Sequence, residues 1–348
     1  MKATMKKEII ASLEPVYKEN NVAVVFESSE VFVPYLSVAI SSLVETATYE
    51  YNYDIIILNS EIKEHDEIML EKLCQEKENI SIRFYNPTFL VEKDMKKSKY
   101  NYLDLNYYRL ALPWILSNYE KVINLGADII IERDIAELFE ISLDDDCYLA
   151  GAPDLGYQGR LGVDISPSEL NLMDPFQYIN ADVLLMDLKK IRGIYTKDEV
   201  MRVWQKRELR CAEQDALNMI FDGHIQQLDL RWNVFPERML SEEHILNATE
   251  ESISEWRACL ENPYIIHYAA IPKPWDYPLV GFGDKWWGYA RKSVYYEEIL
   301  RRMCIVACGN SESNNKRKLL FRIADVILPK GTVRREIVKR IYKIILKK

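Results

Sequence analysis

Three side chains occupy places from which a divalent cation and a diphosphate could be held. The apolar run KVINL (Lys121–Leu125) ends in Gly126-Ala127-Asp128. An acid just past such a strand can hold a divalent cation against a diphosphate, and the cation then neutralises charge on the leaving group. His267 closes a second apolar run, Ile265-Ile266-His267, ahead of a rigid Pro272-Lys273-Pro274 loop. Imidazole beside a carboxylate suits Mn²⁺, and Lys273 can neutralise a phosphate as a point charge. Each residue also has an ordinary reading. Asp128 can close a turn, and a lone histidine at a strand end is commonly a structural hydrogen-bonder.

Ligands of open α/β sheets sit at the carboxyl ends of strands near a topological switch, so these residues need such a sheet behind them. Apolar runs at Val22–Phe26, Asp54–Leu58, Ile80–Tyr85 and Lys121–Leu125 read as buried strands. Helical patterns over Pro34–Val44, Asp66–Gln75 and Leu105–Leu116 fall between them. This alternation predicts an α/β fold with a mostly parallel sheet covered on both faces. Beyond Ile131, Tyr148–Ala152, Asp182–Met186 and Ile265–His267 read as further strands, and Asp198–Leu209 and Glu213–Phe221 as helices. The Gly/Pro/Asp-rich stretch Pro153–Pro175 is long for a connector, which marks it as a binding loop. Lys285–Met303 reads as one long aromatic-rich helix, followed by a polar break at Gly309–Asn315 and a basic tail. There is no internal repeat.

The apolar share of 48% and charged share of 28% are those of a globular protein. The net charge of −9 conceals an asymmetry: Asn315–Lys348 holds twelve Lys or Arg against Asp325 and Glu336. An acidic body with a basic tail excludes general nucleic-acid binding, which needs a basic face on the folded domain. In the tail, Val333, Ile337, Ile341 and Ile345 recur four apart among Arg334, Arg335, Lys339, Arg340 and Lys343. A basic amphipathic helix of this kind lies in an anionic lipid interface; the alternative is a solvated helix docked on the core. Six cysteines without CxxC spacing argue against zinc or a disulfide framework and read as buried thiols. No apolar run is long enough for a signal peptide or a membrane span. The expectation is a cytoplasmic protein, peripheral on the inner face of the membrane.

Seven segments then fall into one order: VPYLSVAISSL (Val33–Leu43), NYYRLALPWIL (Asn106–Leu116), KVINLGADIII (Lys121–Ile131), YINADVLLMDLKKIR (Tyr178–Arg192), EQDALN (Glu213–Asn218), RWNVFP (Arg231–Pro236) and HYAAIPKPW (His267–Trp275). In this order the sequence resembles glycosyltransferase family 8, which contains bacterial lipopolysaccharide galactosyl- and glucosyltransferases and glycogenin. The resemblance implies a GT-A fold, a Rossmann-like nucleotide-diphospho-sugar core, over residues 21–303. It leaves an N-terminal extension (1–20) and the helical tail (304–348). It also implies a nucleotide-sugar donor, usually UDP-linked, a saccharide or glycolipid acceptor, and retention of anomeric configuration. Carried over by position, Asp128 and His267 would ligate Mn²⁺ or Mg²⁺. Ser29, Arg109, Ala127, Asp128, Asn180, Asp182, Ala270 and Lys273 would bind the donor. Gln214, Asp154, Glu213 and Asp215 would stand around the reacting sugar, with Gln214 beneath the anomeric carbon. Carboxylates and amides suit that task because each can take two hydroxyls.

The sequence departs from the family pattern in one place above all. The first acid of the Asp-x-Asp metal motif is Gly126, so the metal site is expected to be weakened or lost. The glycine of Asn-Ala-Gly is Asp182, that of His-Tyr-x-Gly is Ala270, and the first nucleotide loop reads Glu27-Ser28-Ser29-Glu30-Val31. Two readings follow. One is an active transferase in which Asp182 or Glu30 supplies the missing acid. The other is a fold that lost transfer and serves as a membrane-surface binding or scaffold partner. On the motif alone, Gly126→Asp would restore a second carboxylate beside Asp128.

Overall fold

The computed structural model describes residues 13–91, 105, 107–162, 165–166, 168–206, 209–236, 250–269 and 272–308. Residues 1–296 form one compact unit and residues 297–348 a second. Strands are β1 (Asn21–Glu27), β2 (Asn52–Leu58), β3 (Ile80–Tyr85), β4 (Lys121–Leu125), β5 (Ile129–Ile131), β6 (Leu149–Pro153), β7 (Ile179–Asp187), β8 (Ile225–Gln227) and β9 (Ile265–His267). Helices are α1 (Val33–Thr46), α2 (Glu64–Glu71), α3 (Thr88–Val91), α4 (Tyr107–Ile115), α5 (Ala136–Phe139), α6 (Leu155–Arg160), α7 (Leu188–Ile194), α8 (Lys197–Lys206), α9 (Ala212–Ile220), α10 (Glu250–Cys259) and α11 (Gly283–Ala290).

Seven strands make one sheet in the order β3-β2-β1-β4-β7-β6-β8. β1, β2, β3 and β4 are mutually parallel, β7 runs antiparallel to both β4 and β6, and β8 runs parallel to β6. Chain order proceeds outward from β1 to β3 and then returns to β4 on the other side of β1. The switch point thus falls at the carboxyl ends of β1 and β4, where a ligand crevice opens in such sheets. β1 is apolar on both faces: Val22, Val24 and Phe26 are fully buried, as are Ala23 and Val25 on the opposite face. The second face packs with Tyr107, Tyr108, Ala111 and Leu112 of α4 and with residues of α7, α8 and α9. Complete burial of both faces is what a continuous apolar run encodes.

Three local devices fix the elements that reach the crevice. Asp154 accepts the N–H of Tyr157 (2.9 Å) and so caps α6; Asp187 does the same for Lys190 (2.8 Å) at the start of α7. Arg192 donates to the carbonyls of Pro113 (2.9 Å) and Tyr119 (2.8 Å), tying α7 to the end of α4 and the turn beyond it. Outside the main sheet, β5 pairs antiparallel with β9 in the register Ile129↔His267. That small ribbon brings the start of β5, and with it Asp128, beside His267.

The expected helix over Lys285–Met303 is interrupted. α11 stops at Ala290, and the Ser293 hydroxyl takes the N–H of Tyr295 (3.0 Å) while meeting the Ser37 hydroxyl at 2.5 Å. A hydroxyl that captures a nearby backbone N–H offers a local alternative to continued helix. The described part of the second unit, residues 297–308, is helical and carries Glu298 bound to Arg301 (2.7 Å) and Arg302 (2.7 Å). None of the six cysteines forms a disulfide. Cys74, Cys147 and Cys259 are buried and Cys211 is half-buried, but Cys304 and Cys308 are exposed, unlike the buried thiols expected. The expected amphipathic stripe from Val333 to Ile345 lies outside the described residues. Among those described, no helix is long and apolar enough to cross a membrane.

Candidate donor and metal site

At the mouth of the crevice, Asp128, Asp182 and His267 each offer a ligand atom within 4.8 Å of the others. His267 Nε2 lies 3.5 Å from Asp128 Oδ1 and 3.3 Å from Asp182 Oδ2. The ring's other nitrogen is fixed by Asn233 Oδ1 at 2.9 Å. Asn233 reaches this position because Val234 bridges to Ile266 of β9. The imidazole is fully buried, yet neither carboxylate completes a hydrogen bond to Nε2. Nε2 is thus ion-paired with two carboxylates without a well-formed hydrogen bond to either. Two hard oxygens and one imidazole nitrogen are a donor set that fits Mn²⁺ or Mg²⁺, so the residues present fit the metal that the sequence implies.

Charge around this trio is uneven. Arg109, 2% exposed on the first turn of α4, reaches Asp182 Oδ1 at 3.0 Å, Glu213 Oε1 at 3.3 Å and Glu27 Oε2 at 3.5 Å. Lys273 donates to Asp128 Oδ2 at 2.6 Å. Four carboxylates therefore share Arg109 and Lys273, with His267 between two of them. Burial pulls the Arg109 guanidinium down, but Asp182, Glu27 and Glu213 outweigh it and hold the charge in place. Burial pushes Glu27 up to about 7 against the opposing pull of Arg109 and a hydrogen bond from Asn124 (2.7 Å). The Asp182 carboxyl is lowered: burial raises it, but Arg109 and His267 more than offset that. Asp128 is lowered for the same kind of reason by His267 and Lys273. Burial lowers the His267 imidazole, but the two aspartates prevail and hold it up to about 9.

A second cluster adjoins the first along β7. Asn180 and Asp182 are two residues apart and so share a face of the strand, whereas Ala181 between them points into the core. Asn180 donates to Asp154 Oδ2 (3.1 Å) and Gln214 Oε1 (3.0 Å), and its own carbonyl accepts from Asn233 (2.9 Å). Gln214 Oε1 also takes the N–H of Ala181 (3.0 Å), and Gln214 Nε2 donates to Asp154 Oδ2 (3.0 Å) and the Tyr178 hydroxyl (3.1 Å). Both acceptor and both donor positions of that amide are thus engaged. The Tyr178 hydroxyl donates a hydrogen bond to Asp215 Oδ1 at 2.6 Å, and Asp215 Oδ2 accepts from Cys211 N–H at 2.8 Å.

The residues expected to form one site divide accordingly. Arg109, Asp128, Asp182, Glu213, His267 and Lys273 meet at the charged end; Asp154, Asn180 and Gln214 meet at the amide end. Asp215 is 1% exposed and faces Tyr178 and the start of α9 rather than the crevice. Ser29 lies half-buried in the turn after β1, and Ala127 half-buried between Gly126 and Asp128. Ala270 lies outside the described residues. Of the two acids considered as replacements for the missing one, Glu30 is at the surface paired with Lys63, and Asp182 is at the site. The sequence reading missed Glu27 and Asn233, whose signals were weak: an acid ending an apolar strand, and an asparagine inside RWNVFP.

Known proteins share this architecture. The chain aligns with general stress protein A of Bacillus subtilis at 25% identity over 176 residues, 49% of this chain and 58% of that relative. It thus spans little more than half of that protein's length. Superposition on a bifunctional glycosyltransferase, WbbM, gives a TM-score of 0.74 at 23% identity, covering 84% of this chain and 53% of that one. The galactosyltransferase LgtC, solved in complex with donor and acceptor sugar analogs, superposes with a TM-score of 0.63 at 22% identity, covering 78% of this chain and 96% of that one. These likenesses establish the GT-A type of fold. The profile described as Glycosyl transferase family 8 matches residues 23–278, nearly the whole of the first unit, and the chain belongs to that family.

Proposed function

We propose that this chain is a retaining glycosyltransferase that moves a hexose from a UDP-linked donor to a saccharide or glycolipid acceptor in cell-surface polysaccharide or lipopolysaccharide synthesis. The observation that supports this most is the arrangement on β7, where Asp182 serves a cation-ready trio and Asn180 a cluster of amides on the same strand face. Asp128, Asp182 and His267 would hold Mn²⁺ or Mg²⁺, and a bound ion would neutralise charge developing on the departing diphosphate. Arg109 fixes Asp182 through Oδ1 and leaves Oδ2 turned to His267. Lys273, bound to Asp128, is placed to turn its charge toward a phosphate. Asp154 and Asn180 stand beside Gln214 where the donor sugar would lie, their polar atoms bonded to one another and to Gln214. Gln214, in the family's position beneath the anomeric carbon, is held by four internal hydrogen bonds. Such anchoring keeps a reacting group in place before the substrate arrives.

The test is a screen of nucleoside-diphosphate sugars for binding and slow hydrolysis, with Mn²⁺ and with chelator. One UDP-hexose is expected to bind more tightly with Mn²⁺ and to be hydrolysed. Absence of binding by every donor at millimolar concentration would sink the transferase reading. Membrane association at the cytoplasmic face belongs to the same proposal and rests on the charge of residues 315–348. Truncation after Asn314 should abolish binding to anionic vesicles; equal binding by both forms would reject it.

A further inference from the structure

Positions 126 and 182 are partners on one rung of the β4–β7 ladder. The antiparallel register pairs Leu125 with Val183, and the N–H of Gly126 donates to the carbonyl of Asp182 at 2.8 Å. The next rung is therefore Gly126 against Asp182. Directly opposed residues of an antiparallel pair send their side chains to the same face. A Cβ built on Gly126 would lie 3.0 Å from Asp182 Oδ1, 3.1 Å from Asp182 Cβ and 3.1 Å from Asp128 Oδ1. The space that a side chain at 126 would fill is the space that Asp182 fills. Backbone conformation does not call for glycine here: Gly162 and Gly223 have positive φ, and Gly126 does not.

We infer that the carboxylate missing at position 126 has moved across the rung to position 182, that Asp182 is the second acidic ligand of the cation, and that Gly126 is the room this exchange requires. The two departures from the sequence pattern, an acid lost at 126 and a glycine lost at 182, are then one change. His267 gives the independent sign of a ligand: its Nε2 is fully buried, without a hydrogen-bond partner, and faces both carboxylates. Each aspartate commits one oxygen to a basic side chain, Asp128 Oδ2 to Lys273 and Asp182 Oδ1 to Arg109, and turns the other to His267. The inference deepens the metal site of the proposed transferase and rests on that reading only for the identity of the ion.

Calorimetric titration of the full chain with Mn²⁺ alone, no nucleotide present, tests it on the wild type, Asp182→Asn, Asp182→Gly, Gly126→Asp and the double variant Gly126→Asp/Asp182→Gly. Melting in chelator reports folding separately, and Asp182→Asn keeps side-chain volume and an acceptor for Arg109. Both single changes at 182 should weaken Mn²⁺ by about 10-fold or more, since even an outer-shell partner is commonly worth that much. Gly126→Asp alone should not tighten binding, because its carboxylate meets Asp182. The double variant should recover affinity to within about 3-fold of wild type, taking about 10-fold as the loss to be reversed. Wild-type affinity in Asp182→Asn, a double variant as weak as Asp182→Gly, or no Mn²⁺ binding by the wild type would each overturn the exchange. The expected Mn²⁺ order without binding of any nucleotide sugar would uphold the exchange and remove the transferase reading.

Discussion

The charged end and the amide end of the crevice hold their side chains by different means. At the amide end, Asp154, Asn180, Gln214 and Tyr178 satisfy one another through directional bonds of 3.0–3.1 Å. At the charged end, His267 Nε2 has no hydrogen-bond partner, and four carboxylates share Arg109 and Lys273. Coulomb attraction depends on where a charge sits in space and little on which strand carries it. A saturated amide cluster depends on donor and acceptor directions at every member. The difference explains why the charged end accommodates a carboxylate arriving from β7 in place of one on β4. The amide end carries Asp154, Asn180 and Gln214, the residues that the resemblance to the family implies there.

The largest effect expected is at Arg109. Arg109→Met would leave Glu27, Asp182 and Glu213 buried or half-buried without their shared cation. Breaking a buried ion pair from one side costs about 3–5 kcal/mol, so chemical denaturation should show a loss of that size. A loss under about 1 kcal/mol, the value of a solvent-exposed pair, would mean that water already screens the charged end. The contrast with the amide end would then fail.

Glu27 gives a pH test of the same end. Its carboxyl is raised from 4.5 to about 7, chiefly by burial, with Arg109 opposing and Asp182 adding to the rise. The folded state therefore holds a proton that the unfolded state releases. The stability this contributes is complete below about pH 4.5 and is lost as pH rises through 7, by up to about 3 kcal/mol. Glu27→Gln should remove this component of the slope between about pH 4.5 and 7. An unchanged slope would place the titration elsewhere.

At the amide end, Gln214→Ala removes four hydrogen bonds and leaves Asp154 and Asn180 short of partners. A cost of about 1–3 kcal/mol is expected, with donor-sugar binding weakened and Mn²⁺ affinity held within about 2-fold, a difference below about 0.5 kcal/mol. Mn²⁺ affinity falling in step with donor binding would show that the two ends act as one unit.

Much of this architecture was legible in the sequence. β1, β2 and β4 are buried on both faces and appear as largely apolar runs, whereas β3, at the sheet edge, shows as alternation, with Ile80 and Ile82 buried and Ser81 and Arg83 half-buried. β8, with three half-buried residues, lacks either signal, and β5 is a fully buried run of only three residues. Asp128, His267 and Lys273 were recognisable because each stands beside a strand end or a proline. Asp182 was visible as a departure from a motif and as one of two acids able to supply the missing one, but nothing local chose it over Glu30. No local pattern relates it to Gly126, since the rung joining them exists only after β7 has returned antiparallel beside β4. The break at Ser293 was hidden for a similar reason: it depends on the Ser37 hydroxyl of a distant helix.

Lys273 should show the smallest change in stability and the sharpest division of roles. Its ammonium is bound to Asp128 Oδ2 at 2.6 Å, with both side chains nearly a fifth exposed. This single pair, between the exposed and buried limits, should contribute about 1–2 kcal/mol, and Lys273→Met should unfold within that margin of the wild type. In metal binding the sign reverses. The ammonium occupies an oxygen of a proposed ligand, so its removal should leave Mn²⁺ binding in the absence of nucleotide unchanged or tighter. Donor binding should weaken, because a point charge aimed at the diphosphate has gone. Calorimetry with Mn²⁺ alone, followed by titration of the UDP-sugar into the Mn²⁺-loaded protein, separates the two effects. If both affinities fall together, Lys273 is a strut that orients Asp128, and the diphosphate must find its positive partner at Arg109.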